Sequence, residues 1–161
     1  MELLTLLKST SYKLGFSVAL FALCALLGLS FNTPLNAGEK NHQQQKNLEL
    51  GLSLETKFWN AVQKGNDKRI SSMLSPIFQG LSISGPYTRK QQIDGLAGTP
   101  LIGFGINQPE ATRSGKDLVF SYMLVAIGDG ITSGPQVTVW RKKGSSWEII
   151  SHSYVPFLVP G

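Results

Sequence analysis

Cysteine is almost missing from this chain of 161 residues: Cys24 is the only one. It lies inside an apolar run and follows bulky Leu23, a poor setting for lipid attachment. Beyond that run there is no thiol, which excludes disulfides, Cys-ligated metals and cysteine nucleophiles. Histidine is also scarce. His42 and His152 are far apart, and no cluster has metal-ligand spacing, so no metal is expected. No cofactor is expected either. Gly128 to Gly134 is glycine-rich, but it lacks the Lys and the following helix of a phosphate loop and reads as a hairpin loop. Charge is sparse, at 16% of residues, with a formal net charge of +5. The basic residues are scattered apart from Lys68-Arg69, Arg89-Lys90 and Arg141-Lys142-Lys143. Nucleic-acid binding calls for a basic stripe, so no nucleic-acid partner is expected.

What the chain does have is a long apolar run near its start. Lys8 and Lys13 precede Leu14 to Phe31, which is almost wholly apolar, and Asn32 to Ala37 follow with a Pro and a small final residue. A basic start, an apolar stretch and a small-residue exit make a secretory signal peptide over residues 1–37, with cleavage after Ala37. Removing Glu2, Lys8 and Lys13 with that segment takes the net charge from +5 to +4. The alternative is an uncleaved anchor, since a spanning helix needs roughly 20 apolar residues. Either way the rest of the chain is expected outside the cytoplasm, periplasmic or secreted after cleavage, or held at the inner membrane by the anchor. Residues 38–49 begin with Gly38 to Lys46, which is polar without an apolar period, and read as a linker.

Residues 50–158 carry the domain. Leu54, Phe58, Ala61 and Val62 form an apolar stripe that predicts a helix from about Ser53 to Lys64, stopped by Gly65. Asp67 is placed to cap a second helix carrying Ile70, Met73 and Leu74, ended by Ser75-Pro76. A strand follows from about Phe78 to Ser84, then a turn at Gly85-Pro86. Thr88 with Gln91 fits a capping box for a short third helix, closed by Gly95 and Gly98. Four strands are then expected in an antiparallel meander: Leu101 to Thr112, Lys116 to Ile127 as a central strand, Gln136 to Lys142, and Trp147 to Val155. This is an α+β plan with helices on one face of a curved sheet.

The last hairpin sets the expected site. A four-residue loop, Lys143 to Ser146, pairs Lys142 with Trp147, and then Arg141 with Glu148, Val139 with Ile150 and Val137 with His152. Opposite residues share a face. One face then carries Val137, Val139, Ile150, His152 and Tyr154 and resembles a pocket wall. The other carries Trp140, Trp147, Ile149, Thr138 and Ser151 and is expected to face away.

The helix segment FWNAVQKGNDKRISSML, the FQGLSISGPYTRKQQIDGL segment and the ending VTVWRKKGSSWEIISHSYVPF resemble the NTF2-like superfamily, in particular its DUF4440/SnoaL-like branch. The resemblance covers about Leu50 to Leu158. It implies a cone: a curved, mostly antiparallel sheet wrapped around about three helices, open at one end, often a homodimer through the sheet. Family members include isomerases, cyclases and dehydratases, ligand binders, and assembly modules. This chain departs from the isomerase pattern. No Asp or Glu lies between Asp67 and Asp94 to serve as the carboxylate base near the first strand, and the position of the oxyanion-binding Tyr on the first helix corresponds to Phe58.

The candidate ligand-binding residues are therefore His152, Tyr154, Tyr122, Trp59, Val137, Val139 and Ile150. Catalysis, if any, would fall to His152 with Asp94 or a Tyr. Tyr87 and Arg89 flank the third helix start, where Arg89 has the chemistry to meet an anion. The expected function is binding of a small apolar molecule in the cone. The alternatives are a SnoaL-like isomerase, cyclase or dehydratase, and an envelope assembly module held to the membrane by an uncleaved helix.

Overall fold

The computed structural model describes residues 37–98 and 101–158. The expected export segment up to Asn36 lies outside the described residues. Among the described residues, no helix is long and apolar enough to cross a membrane.

The first helix, α1, runs over Ala37–Gln63 and so takes in the stretch expected as a linker. Glu, Lys and Gln are good helix formers, so a segment without an apolar face still continues the helix that follows it. Amides four residues apart add support, with Gln43 Nε2 donating to Asn47 at 3.0 Å and Gln45 Nε2 to Glu49 at 3.0 Å. Further along, Leu48, Gly51, Glu55, Phe58, Trp59 and Val62 recur at intervals of three and four and face the sheet. Gly51 is required there, because a Cβ would lie 2.1 Å from the Phe120 ring. Gly65, at φ +57°, turns the chain out of the helix.

Helix α2 spans Asp67–Met73. Its cap is Asn66 and not Asp67: Asn66 Oδ1 accepts from the Arg69 amide at 3.0 Å. Strand β1, Leu74–Ser82, begins directly after it and turns back into β2, Gly85–Thr88. Helix α3, Arg89–Leu96, starts with the expected capping box between Thr88 and Gln91. Four long strands follow, β3 Gly103–Ser114, β4 Asp117–Ile127, β5 Ile131–Lys143 and β6 Ser146–Tyr154, and then a short β7, Phe157–Leu158, pairs with β5.

The sheet order is β2-β1-β6-β5-β4-β3. All neighbours are antiparallel except β1 and β6. The last four long strands do form a meander, but its final strand also takes β1 alongside in parallel. Inward residues of β4, β5 and β6, such as Phe120, Trp140 and Ile149, close on α1 to make the core.

The last hairpin starts in the expected register and then leaves it. Lys142 pairs with Trp147, Arg141 with Glu148 and Trp140 with Ile149, but Val139 pairs with Ser151 and not with Ile150. Ile150 is an extra residue, a bulge. Because side chains alternate along a strand, one extra residue exchanges the two faces for everything beyond it. His152 therefore lies opposite Thr138, and Tyr154 opposite Gln136. Val137 and Val139 are not pocket residues; they lie on the outer face with Ile150, and Val137 is 39% exposed. Trp140 faces inward and is wholly buried, and Trp147 packs partly against the core, under the Arg113 guanidinium at 5.5 Å.

Candidate functional site

A cavity of about 420 Å³ opens between the sheet and helices α1 and α3. Its apolar wall comes from Trp59 and Val62 on α1, Leu96 on α3, Leu101, and Leu124 and Ala126 on β4. Its polar side comes from Gln92 on α3, Gln136 on β5, His152 and Tyr154 on β6, and Tyr87 on β2. None of its lining residues is Asp, Glu, Lys or Arg.

His152 is the centre of the polar side. It is 4% exposed, with its ring Nε2 2.8 Å from Gln136 Oε1. An amide oxygen only accepts, so in this arrangement Nε2–H donates and the ring is the Nε2 tautomer. Tyr87 lies on the other side. Its hydroxyl is 3.3 Å from Nδ1 and donates to the His152 carbonyl oxygen at 2.9 Å. Tyr87 reaches across because position 80 is glycine: a Cβ there would lie 2.1 Å from the Tyr87 ring. The Tyr154 ring stacks on His152 with centroids 5.8 Å apart.

Burial without a nearby charge lowers the His152 pKa from 6.5 to about 4. The ring is neutral at physiological pH, and it is a weak base. Burial also raises the Tyr87 pKa, so that hydroxyl stays protonated. The cavity is thus apolar, uncharged and equipped with neutral hydrogen-bonding groups.

The expected site residues divide into three groups. His152, Tyr154 and Trp59 line the cavity. Val137, Val139 and Ile150 lie on the outer face: Gln136, Thr138 and Trp140 take the inner positions of β5, and the bulge in β6 brings His152 and Tyr154 to that same inner face. Tyr122 is inward but behind the wall: it is 3% exposed, accepts from Trp59 Nε1 at 2.8 Å and donates to Glu55 Oε2 at 2.9 Å. Asp94 is on the solvent side of α3, paired with Lys90 through the i,i+4 spacing, and does not reach His152. Arg89 holds structure together, with bonds to the Leu74 and Ser71 carbonyls and the Ser71 hydroxyl.

Three residues of the region were not anticipated from sequence. Gln92 and Gln136 line the cavity and are 7% and 6% exposed. Glu55 is fully buried beneath it, accepting from Trp140 Nε1 at 2.7 Å and from Tyr122. Burial raises the Glu55 pKa against the opposing pull of these donors. A signal for Glu55 was present: it occupies the centre of the α1 apolar stripe, four residues after Gly51 and three before Phe58.

No protein-family model matches the sequence, and no curated protein matches it. Solved structures do match. An NTF2-like protein from Cytophaga hutchinsonii aligns with a TM-score of 0.62 at 17% identity, over 68% of this chain and 97% of that one. A proposed dehydratase of the NTF2-like family from Streptomyces avermitilis aligns at 0.58 and 16%, over 71% and 99%. A proposed ketosteroid isomerase from Parabacteroides distasonis aligns at 0.57 and 15%, over 68% and 87%. At such identities the likeness is one of architecture, and the chain has the NTF2-like α+β cone fold.

Proposed function

We propose that this domain binds a small, uncharged, mostly apolar molecule in its cone and does not transform it. The observation that carries this reading is the cavity of about 420 Å³ without a charged lining residue, holding a buried neutral histidine. Such size and composition suit a small ligand fixed by a few polar groups. The enzyme alternative would draw on the names of two of the matched proteins, but same-fold proteins host unrelated chemistry. A base working near neutrality needs a pKa near the operating pH. His152, at about 4, is far below it, and Asp94 is on the solvent side of α3.

The proposal extends to place and partner. The segment Lys8 to Ala37 carries the features of an export signal, so we assign the domain to the periplasm or the exterior. The outer face of the sheet bears exposed Val119, Val137, Ile127 and Ile131, a surface that suits pairing with a second copy of the chain.

Native mass spectrometry of protein purified from its own host tests all three parts. The expected spectrum is a dimer, lacking the first 37 residues, with added mass that leaves on denaturation. A protein that carries no adduct, and gains no thermal stability from any neutral apolar compound, would end the binding proposal.

A further inference from the structure

We infer that Gln92 and Gln136 select the ligand, and that they select an uncharged apolar molecule bearing a carbonyl or hydroxyl oxygen over both a bare hydrocarbon and a charged analogue. This rests on the reading of the cavity as a ligand site. It adds which end of the ligand is read, and by what.

Both amides are more than nine-tenths buried, and both line the cavity. Gln92 lies on α3, and its side-chain amide has no hydrogen-bond partner among the described residues. Gln136 lies on β5. Its Oε1 is engaged by His152 Nε2, and its own Nε2 has no partner among the described residues. The adjacent Gln91 is a useful contrast: its Oε1 is used by the capping box, accepting from the Thr88 amide at 2.8 Å. Among the described residues Thr138 Oγ1 is the one side-chain nitrogen or oxygen both sealed from solvent and unpartnered, so the unengaged atoms of the two amides open into the cavity. Two amides that present unpartnered ends to one cavity are best accounted for by a group that enters it and takes the place of water.

The chemistry of that group follows from what surrounds it. An amide offers N–H donors and a carbonyl acceptor. A carbonyl oxygen satisfies the donors, and a hydroxyl satisfies either end. A carboxylate or ammonium would enter a cavity whose lining includes no opposite charge, losing its hydration uncompensated. The apolar remainder of the ligand rests on Trp59, Val62, Leu96, Leu101 and Leu124.

Three compounds with one ring system test the idea: naphthalene, 2-acetylnaphthalene and 2-naphthoate, measured by equilibrium dialysis against the purified protein. The acetyl compound should bind about tenfold more tightly than naphthalene, the worth of one to two hydrogen bonds. The carboxylate should bind more weakly than either. Gln92→Met should remove most of the acetyl preference, read as the ratio of the dissociation constants of naphthalene and 2-acetylnaphthalene. Gln92→Ala carries the same binding expectation without added bulk. A purely structural glutamine would lower the melting temperature when substituted and leave that ratio unchanged. If naphthalene binds but acetyl brings no advantage, or the variants keep it, the amide inference is wrong and the cavity reading stands. If none of the three binds, both fall.

Discussion

Two buried titratable residues give the protein opposed responses to acid. His152 has its pKa lowered to about 4, so in the folded state it resists protonation. Its contribution to stability is complete above pH 6.5 and is lost as pH falls from there toward 4, on the order of 3 kcal/mol in all. Glu55 has its pKa raised, so the folded state holds that proton more tightly than the unfolded chain. Its contribution is complete below the ordinary value of 4.5 and is lost as pH rises through the folded value. Urea unfolding at stepped pH should therefore show Glu55→Gln gaining stability from pH 4 to 6.5, and His152→Gln losing it as pH rises above 4.5. Superimposable pH profiles for the wild type and both variants would refute the assignment. At this scale the sequence was partly legible. His152 was expected inward on a face with Val137, Val139 and Ile150, and that face is the outer one; His152 reaches the cavity because the bulge sets it opposite Thr138. Gln92, Gln136 and Glu55 were not expected inward, because a polar residue within an amphipathic segment ordinarily faces water, and only packing against other elements buries it. Glu55 alone left a trace, in its place on the apolar stripe.

The bulge at Ile150 is where an element decides the site. Register read from the turn outward holds for Lys142–Trp147, Arg141–Glu148 and Trp140–Ile149, and fails at Val139, which meets Ser151 instead of Ile150. The charge pair that seemed to fix it is also shared differently. Arg141 bonds Asp117 on β4 through two contacts of 2.7 Å, while Glu148 accepts from Ser75 at 3.1 Å. Nothing in the local sequence marks the bulge, since it contains no glycine. It is fixed by what each face meets: Trp140 and Ile149 against α1 on one side of it, His152 and Tyr154 against the cavity on the other. The helices were more legible, because caps and glycines are local signals; the capping box at Thr88 and the stop at Gly65 stand as expected. The bulge can be tested by length. Ile150→Ala trims a half-buried side chain and should cost on the order of 1 kcal/mol. Deleting Ile150 removes the extra residue, turns either the core pair or the cavity pair outward, and should abolish cooperative unfolding in urea. If the deletion is tolerated as well as the alanine, the bulge does not determine the faces.

For the molecule as a whole, the alternation along β4 and β5 gives the sheet two apolar faces with separate tasks. The inner face is consumed by α1 and the cavity. On the outer face Val119 pairs across to Val139, Val137 lies beside Ser121, and Ile127 pairs with Ile131 at the far end of the same strands. Val119, Val137, Ile127 and Ile131 keep between 38% and 46% of their surface exposed. β-Branched residues on a pleated face are well suited to a flat partner, and a symmetric pair would bring each such residue against the same patch of its twin. A charge introduced once in the sequence then appears twice at the interface, unpaired and partly desolvated. Val137→Lys should accordingly shift the protein from dimer to monomer in light scattering coupled to size-exclusion chromatography. Because Val137 points away from His152, the variant should keep the wild-type affinity for 2-acetylnaphthalene. A wild type that is monomeric at tens of micromolar would remove the dimer. A variant that becomes monomeric and also loses the ligand would show that the two faces are coupled through the strand between them and do not act separately.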